Sequence, residues 1–222
     1  MFDVETTKIL LVIAFVVAAL VFVFNFLAMT IPFNKTGSDK YNFLRYFPFE
    51  LNRFKRYQKS SYVFAILQFF ASAVLITGAI LFICVHHETA VFYVLISSLI
   101  ISIISFNCLT YIKLSNFKIH LVFASICSFS TVLTLVLEFL TLTSDRGGII
   151  ISNPILNIIV IVLTLIFMMV LLANPSYKNW AKMVQVDAQT FNRPRFCYLA
   201  MLEWGTFLSI LLSFLPLIIA SF

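Results

Sequence analysis

The sequence predicts an all-α fold, a polytopic transmembrane bundle of six helices, and three observations carry that prediction. Apolar residues make up 62% of the chain and charged residues only 11%, with a mean hydropathy of +1.05. Six apolar stretches each reach the ~20 residues needed to cross a ~30 Å hydrocarbon core. The basic residues gather in alternate connections between those stretches. A soluble domain is about 45–50% apolar and about 25% charged, so a chain this poor in charge lacks the polar surface to coat a core in water. Its apolar residues face lipid, where a run of this length satisfies its own backbone only as a helix.

The expected spans are 9–29, 62–85, 90–111, 119–142, 149–173 and 198–219, within a single integral membrane domain, 1–222. The first is read as a retained helix. Asp3 and Glu5 precede it with Lys8 alone as base, its apolar core exceeds that of a signal peptide, and no Ala-x-Ala site follows. After the first span come Lys35, Lys40, Arg45, Arg53, Lys55, Arg56 and Lys59. Lys113 and Lys118 follow the third, and Lys178, Lys182, Arg193 and Arg195 follow the fifth. The opposite face keeps only Lys8 and Arg146. The positive-inside rule then predicts a cell-membrane protein with both termini on the extracytoplasmic side. The net charge of +6 is an orientation signal, not a nucleic-acid footprint, because no connection is long enough to fold as a contiguous basic domain. The turns His86-His87-Glu88-Thr89 and 143–148 are short, which pairs the second span with the third and the fourth with the fifth as antiparallel hairpins.

In the first basic connection, residues 41–57 read YNFLRYFPFELNRFKRY. Pro48 suits a first helical position and Glu50 the first turn. Phe47, Leu51 and Phe54 share a face, and Arg53, Lys55 and Arg56 spread over the rest. That pattern predicts a short interfacial amphipathic helix, a surface for the membrane or for a partner.

Ionisable groups within spans are costly and are the first candidates for function. Glu203, ~10 Å inside its span at 1.5 Å per residue, heads a stripe of Thr206, Ser209 and Ser213. Glu138 shares a stripe with Thr131, Thr134 and Thr141, and the third span carries Ser98, Ser102 and Ser105 on one face. Small hydroxyl residues pack helices closely and bond across them, so these stripes point inward. Glu203, Thr206, Ser209 and Glu138 form the candidate intramembrane polar site, with Glu203 expected to snorkel or to pair with Arg193, Arg195 or Trp204. Gln68, Asn25 and Asn107 also fall within spans, and His120 reads as an interfacial imidazole at a span end.

Catalytic motifs are missing. There is no Gly-x-Ser-x-Gly elbow, no His-Glu-x-x-His helix and no phosphate-cradling glycine loop in a chain with five glycines. Histidines deep in facing spans, which haem ligation between helices requires, are also lacking. His86, His87 and Glu88 read as a solvated turn, not a metal site, and no cofactor is expected. Cys84, Cys108, Cys127 and Cys197 form no Cys-x-x-Cys pair and read as small apolar fillers.

Ala14-x-x-x-Ala18 in the first span, together with six spans and this length, resembles the substrate-binding subunits of energy-coupling-factor vitamin transporters. Those subunits dock on their partner through a small-residue motif in the first helix. Their usual orientation, with the N-terminus in the cytosol, is opposite to the charge pattern here, so no assignment is taken from it. The residues themselves lead to a non-catalytic, protein-binding membrane component, either an accessory subunit or a bacterial toxin-immunity-type protein. Its partners would be the lipid bilayer and another membrane or secreted protein, with a homo-oligomer compatible and nucleic acid not. The alternative is a small-solute or proton/cation-linked transporter using Glu203, and the third reading is a lipid-modifying enzyme with an unrecognised site.

Overall fold

The computed structural model describes residues 4–36, 40–51, 58–86, 90–112, 117–142, 154–173 and 196–221. They form helices joined by turns, with no strand among the described residues. In chain order these are α1 (Val4–Thr36), α2 (Pro48–Leu51), α3 (Gln58–His86), α4 (Ala90–Tyr111), α5 (Phe117–Leu142), α6 (Pro154–Leu172), α7 (Tyr198–Leu212) and α8 (Phe214–Ser221). Six helical stretches are long and apolar enough to cross a membrane, the sixth made of α7 and α8 in series. The protein is a multi-pass helical membrane protein.

The span boundaries agree with the sequence except at two places. The first runs from Thr6 to Lys35, six residues past the expected end, and carries Pro32 inside α1. A proline there removes one backbone bond, which membrane helices tolerate when neighbours pack around it. The fifth begins its described course at Pro154, where the missing N–H would have had no intrahelical partner anyway. Residues 149–153 lie outside the described residues.

Large apolar side chains point outward along every span, among them Phe24, Ile66, Phe129, Ile155 and Val170, each more than 60% exposed. In water such a surface would aggregate, whereas against lipid it costs nothing. Inside, α1 lies along α3 and α4 along α5. Gly78 allows the first of these approaches, because a Cβ there would stand 2.7 Å from the Ala14 Cβ. Ala14 and Ala18 are both buried. The small-residue pair that resembled a docking motif is therefore used within the chain. Between the helix pairs, aromatic rings fill the middle. Phe106 stacks on Phe207 at 4.5 Å, and Phe26 meets Trp204 and Phe207 edge-on at 5.0 and 5.3 Å.

The last span is broken. α7 ends at Leu212, Ser213 forms a turn, and α8 resumes at Phe214. Pro216 in the first turn of α8 has no N–H to give to the Leu212 carbonyl.

Candidate functional site

The bundle has a basic end, where residues 40–51, 112 and 196–197 lie, and an opposite end, where α3, α5 and α8 finish. Residues 40–51 fold over the basic end as a plug. The Cys197 N–H donates to the Leu44 carbonyl at 2.9 Å, the Trp204 indole N–H to the Tyr46 carbonyl at 3.0 Å, and the Tyr41 hydroxyl reaches the Tyr46 and Phe47 carbonyls. Glu50 Oε2 accepts the Phe47 N–H at 2.9 Å, the half of a capping box in which the third helical residue reaches back to the cap. Phe33, Tyr41, Phe43, Tyr46 and Trp204 meet edge-on around these bonds with ring centroids about 5 Å apart.

This geometry corrects the expected surface. α2 begins at Pro48, as the sequence predicted, but all four of its residues are buried. Phe47 and Leu51 are 3% and 5% exposed, packed in the protein instead of offered to lipid or a partner. Their density of neighbouring aromatics gives them partners inside the bundle that an isolated amphipathic pattern ignores. Arg53, Phe54, Lys55 and Arg56 lie outside the described residues.

Beneath the plug sits a buried histidine–carboxylate pair. His120 Nε2 and Glu203 Oε1 are 2.6 Å apart, with side chains 1% and 2% exposed. His120 Nδ1 lies 3.1 Å from the Ile112 carbonyl. A carbonyl can only accept, so Nδ1 carries a hydrogen. The rings of Phe47 and Phe49 meet the imidazole nearly edge-on at 6.1 and 5.5 Å, and Glu50 is close enough to act electrostatically on both members of the pair. Glu203 Oε2 has no hydrogen-bond partner. Glu203 thus pairs with neither Trp204, whose N–H goes to the plug, nor by snorkelling. Arg193 and Arg195 lie outside the described residues.

From this pair a series of hydroxyls continues along α5 toward the opposite end. Ser128 faces Thr206 at 3.3 Å, Ser130 faces Ser102 at 2.8 Å, and Thr134 faces Ser98 at 2.8 Å. The Cys127 thiol donates to the Ser102 carbonyl. A separate network ties α3 to α4: Gln68 Nε2 bonds Asn107 Oδ1 at 2.9 Å and Thr110 Oγ1 at 2.7 Å, and Asn107 Nδ2 bonds Ser72 Oγ at 2.6 Å. Asn25 reaches the Phe64 carbonyl from α1 at 3.0 Å. The inward orientation of the hydroxyl stripes is as the sequence predicted. Ser209 is buried with its hydroxyl unpartnered.

Near the opposite end Glu138 is 0% exposed, and neither of its carboxylate oxygens has a partner. Asn157 is also 0% exposed with both amide atoms unpartnered. The four predicted site residues are therefore not one site. Glu203 and Thr206 belong to the basic half, Ser209 lies between, and Glu138 stands about 27 Å along α5 from His120 at 1.5 Å per residue. His120 and Asn157 are the residues that sequence reasoning passed over. Both carry a readable signal: His120, Ala124, Cys127, Thr131, Thr134 and Glu138 recur at helical spacing on the buried face of α5, as do Asn157, Ile161, Thr164 and Met168 on α6. Cys108, Cys127 and Cys197 are free thiols, and no group of three or more metal-ligating His, Cys, Asp or Glu occurs among the described residues.

Fold and site together define a six-span membrane protein with a buried histidine–carboxylate pair under an aromatic plug. No protein-family model matches the chain, and no curated protein or solved structure matches it.

Proposed function

We propose that the chain is a proton-linked transport protein of the cell membrane, with His120 and Glu203 as its proton-binding pair. The observation that carries this reading is the pair's geometry. With Nδ1 committed to the Ile112 carbonyl, the 2.6 Å contact holds one proton between Nε2 and Oε1. A second proton has a place on Oε2, which is unpartnered. Loss of the shared proton would leave two lone pairs facing each other in a medium that screens poorly. The pair therefore has discrete protonation states inside the bundle, and an intramembrane ionisable group buried at this cost is a functional site by default. The plug of residues 40–51 serves as the gate on that side. Concentration of 13 of the 15 basic residues at the plug's end supports a cytosolic placement for it and extracytoplasmic termini.

Reconstitution tests the reading. Proteoliposomes loaded with a pH-sensitive dye are expected to dissipate an imposed proton gradient, and Glu203→Gln is expected to abolish that flux while keeping the fold. Wild-type flux no greater than in empty liposomes, or equal flux in the folded variant, would reject it.

A second reading, the non-catalytic protein-binding component, draws support from α6. Val162, Leu165, Ile166, Met169, Val170 and Ala173 line a shallow, wholly apolar groove along its outward face. A transmembrane helix of another membrane protein would fit such a surface, and on this reading Glu203→Gln leaves partner capture intact.

A further inference from the structure

We propose that Glu138, Asn157 and the break between α7 and α8 form a second site, one that binds a monovalent cation through oxygen ligands. The inference goes beyond the proton reading and does not rest on it.

The juxtaposition follows from packing. Leu135 of α5 and Ile161 and Met168 of α6 form one buried cluster, with Val132, Leu165 and Leu172 against it. The two helices run antiparallel, so three residues onward from Leu135 is level with four residues back from Ile161. Those positions are Glu138 and Asn157, on the same faces as the cluster. α8 packs against both helices. Taking the Ser128–Thr206 contact as the level mark, ten residues further along both helices places Glu138 about level with Pro216.

Helix register thus brings to one level four buried polar side-chain atoms, each without a hydrogen-bond partner: two carboxylate oxygens and both atoms of the Asn157 amide. A fully buried carboxylate left unsatisfied costs several kcal/mol, and no hydrogen bond among the described residues offsets it. The backbone adds to the deficit. Glu138 lies just before the last turn of α5, and α7 ends at Leu212 close to the same level. Helix C-termini carry negative partial charge, and neither last turn contains a basic residue. Pro216 leaves the Leu212 carbonyl without its helical donor. The α6 N-terminus acts the other way and favours an ionised Glu138. An ionised carboxylate, an amide oxygen and the freed Leu212 carbonyl at a helix break are a hard-oxygen cation site. One carboxylate balances one positive charge, whereas a divalent ion would leave a net charge buried, which selects a monovalent ion.

The test uses the full chain in detergent micelles, melted in NaCl, KCl or choline chloride at equal ionic strength. NaCl or KCl is expected to raise the melting temperature saturably, by about 2–8 °C for a chain of this size. The shift should vanish in Glu138→Gln and persist in Glu203→Gln. If Glu138→Gln fails to fold, Asn157→Leu and Asn157→Ser take its place, and each is expected to weaken the apparent cation affinity at least tenfold. Identical melting in the three salts, or a shift that survives Glu138→Gln, would overturn the site. Loss of proton flux leaves these outcomes untouched, so the two proposals fail separately.

Discussion

Glu203 and Glu138 are buried to the same degree, at opposite ends of the same bundle, and only one of them has a protein partner. Glu203 meets His120 at 2.6 Å beneath a plug that the chain folds for the purpose. Glu138 meets no hydrogen-bond donor. The contrast shows that burial alone does not define a site, because its chemistry depends on how the carboxylate is compensated. A histidine partner gives a pair in which a proton can pass between the two side chains with no change of net charge inside the protein. A carboxylate facing an unpaired amide needs a mobile counter-charge or a proton of its own. The first arrangement is closed, its carboxylate matched within the protein, and the second is left open, its carboxylate unmatched.

The largest effect expected is at the closed site. His120→Leu strands Glu203 in the bundle, and removing one partner of a buried pair costs about 3–5 kcal/mol. The double variant His120→Leu/Glu203→Leu should recover most of that loss, since apolar side chains of similar volume replace a buried pair at little cost. Unfolding in a denaturing detergent titration measures both. Equal stabilities for the single and double variants would mean that the two side chains are not energetically coupled.

At the open site the sign reverses. In choline chloride, Glu138→Leu is expected to stabilise the protein by about 1–3 kcal/mol, because it removes a buried polar group with no partner. In a saturating concentration of the bound cation the advantage should shrink or invert. A destabilising Glu138→Leu in choline chloride would show that Glu138 is satisfied after all, and the contrast between the two carboxylates would collapse.

How far the two sites were legible in the sequence follows the same division. Helix type and number came from apolar runs whose length lipid itself dictates, and the inward stripes came from hydroxyls at three- and four-residue spacing. The pairing of Glu203 was not legible. His120 lies near the start of α5, where an imidazole reads as interfacial, and its partner is 83 residues away. Only the plug's coverage makes that span end an interior. Phe47 and Leu51 were misplaced for the same reason, since an amphipathic pattern states which residues share a face but not what covers it. Asn157 escaped notice as one amide in an almost uniformly apolar run, although Thr164 seven residues on shares its face. Local periodicity gives facing, whereas coverage by a distant segment is a tertiary fact.

Between the sites the hydroxyl series separates packing from conduction. Ser102→Ala breaks the 2.8 Å bond to Ser130, and a lost side-chain bond of this kind between membrane helices is worth ~1 kcal/mol. If the series only holds α4 to α5, proton flux should be unchanged. A flux that falls tenfold or more while stability drops by only about 1 kcal/mol would instead join the two carboxylates into one pathway.

The smallest effect is expected at Ser209, and it bears on where the closed site ends. Ser209 shares the inward stripe of Glu203 and Thr206, yet its hydroxyl is buried with no partner. Thr206 on the same stripe bonds both the Leu202 carbonyl and Ser128. Were Ser209 a working member of the polar site, removing its hydroxyl would cost a bond. Since it makes none, Ser209→Ala deletes a buried polar group that stabilises nothing, and the change should be neutral or stabilising by less than about 0.5 kcal/mol. The Ser128→Ala variant, which breaks a real contact with Thr206, should lose more than Ser209→Ala in the same titration. A reversal of that order would mean that a group reaches Ser209 from the bundle interior, extending the polar site around Glu203 a turn further toward Glu138.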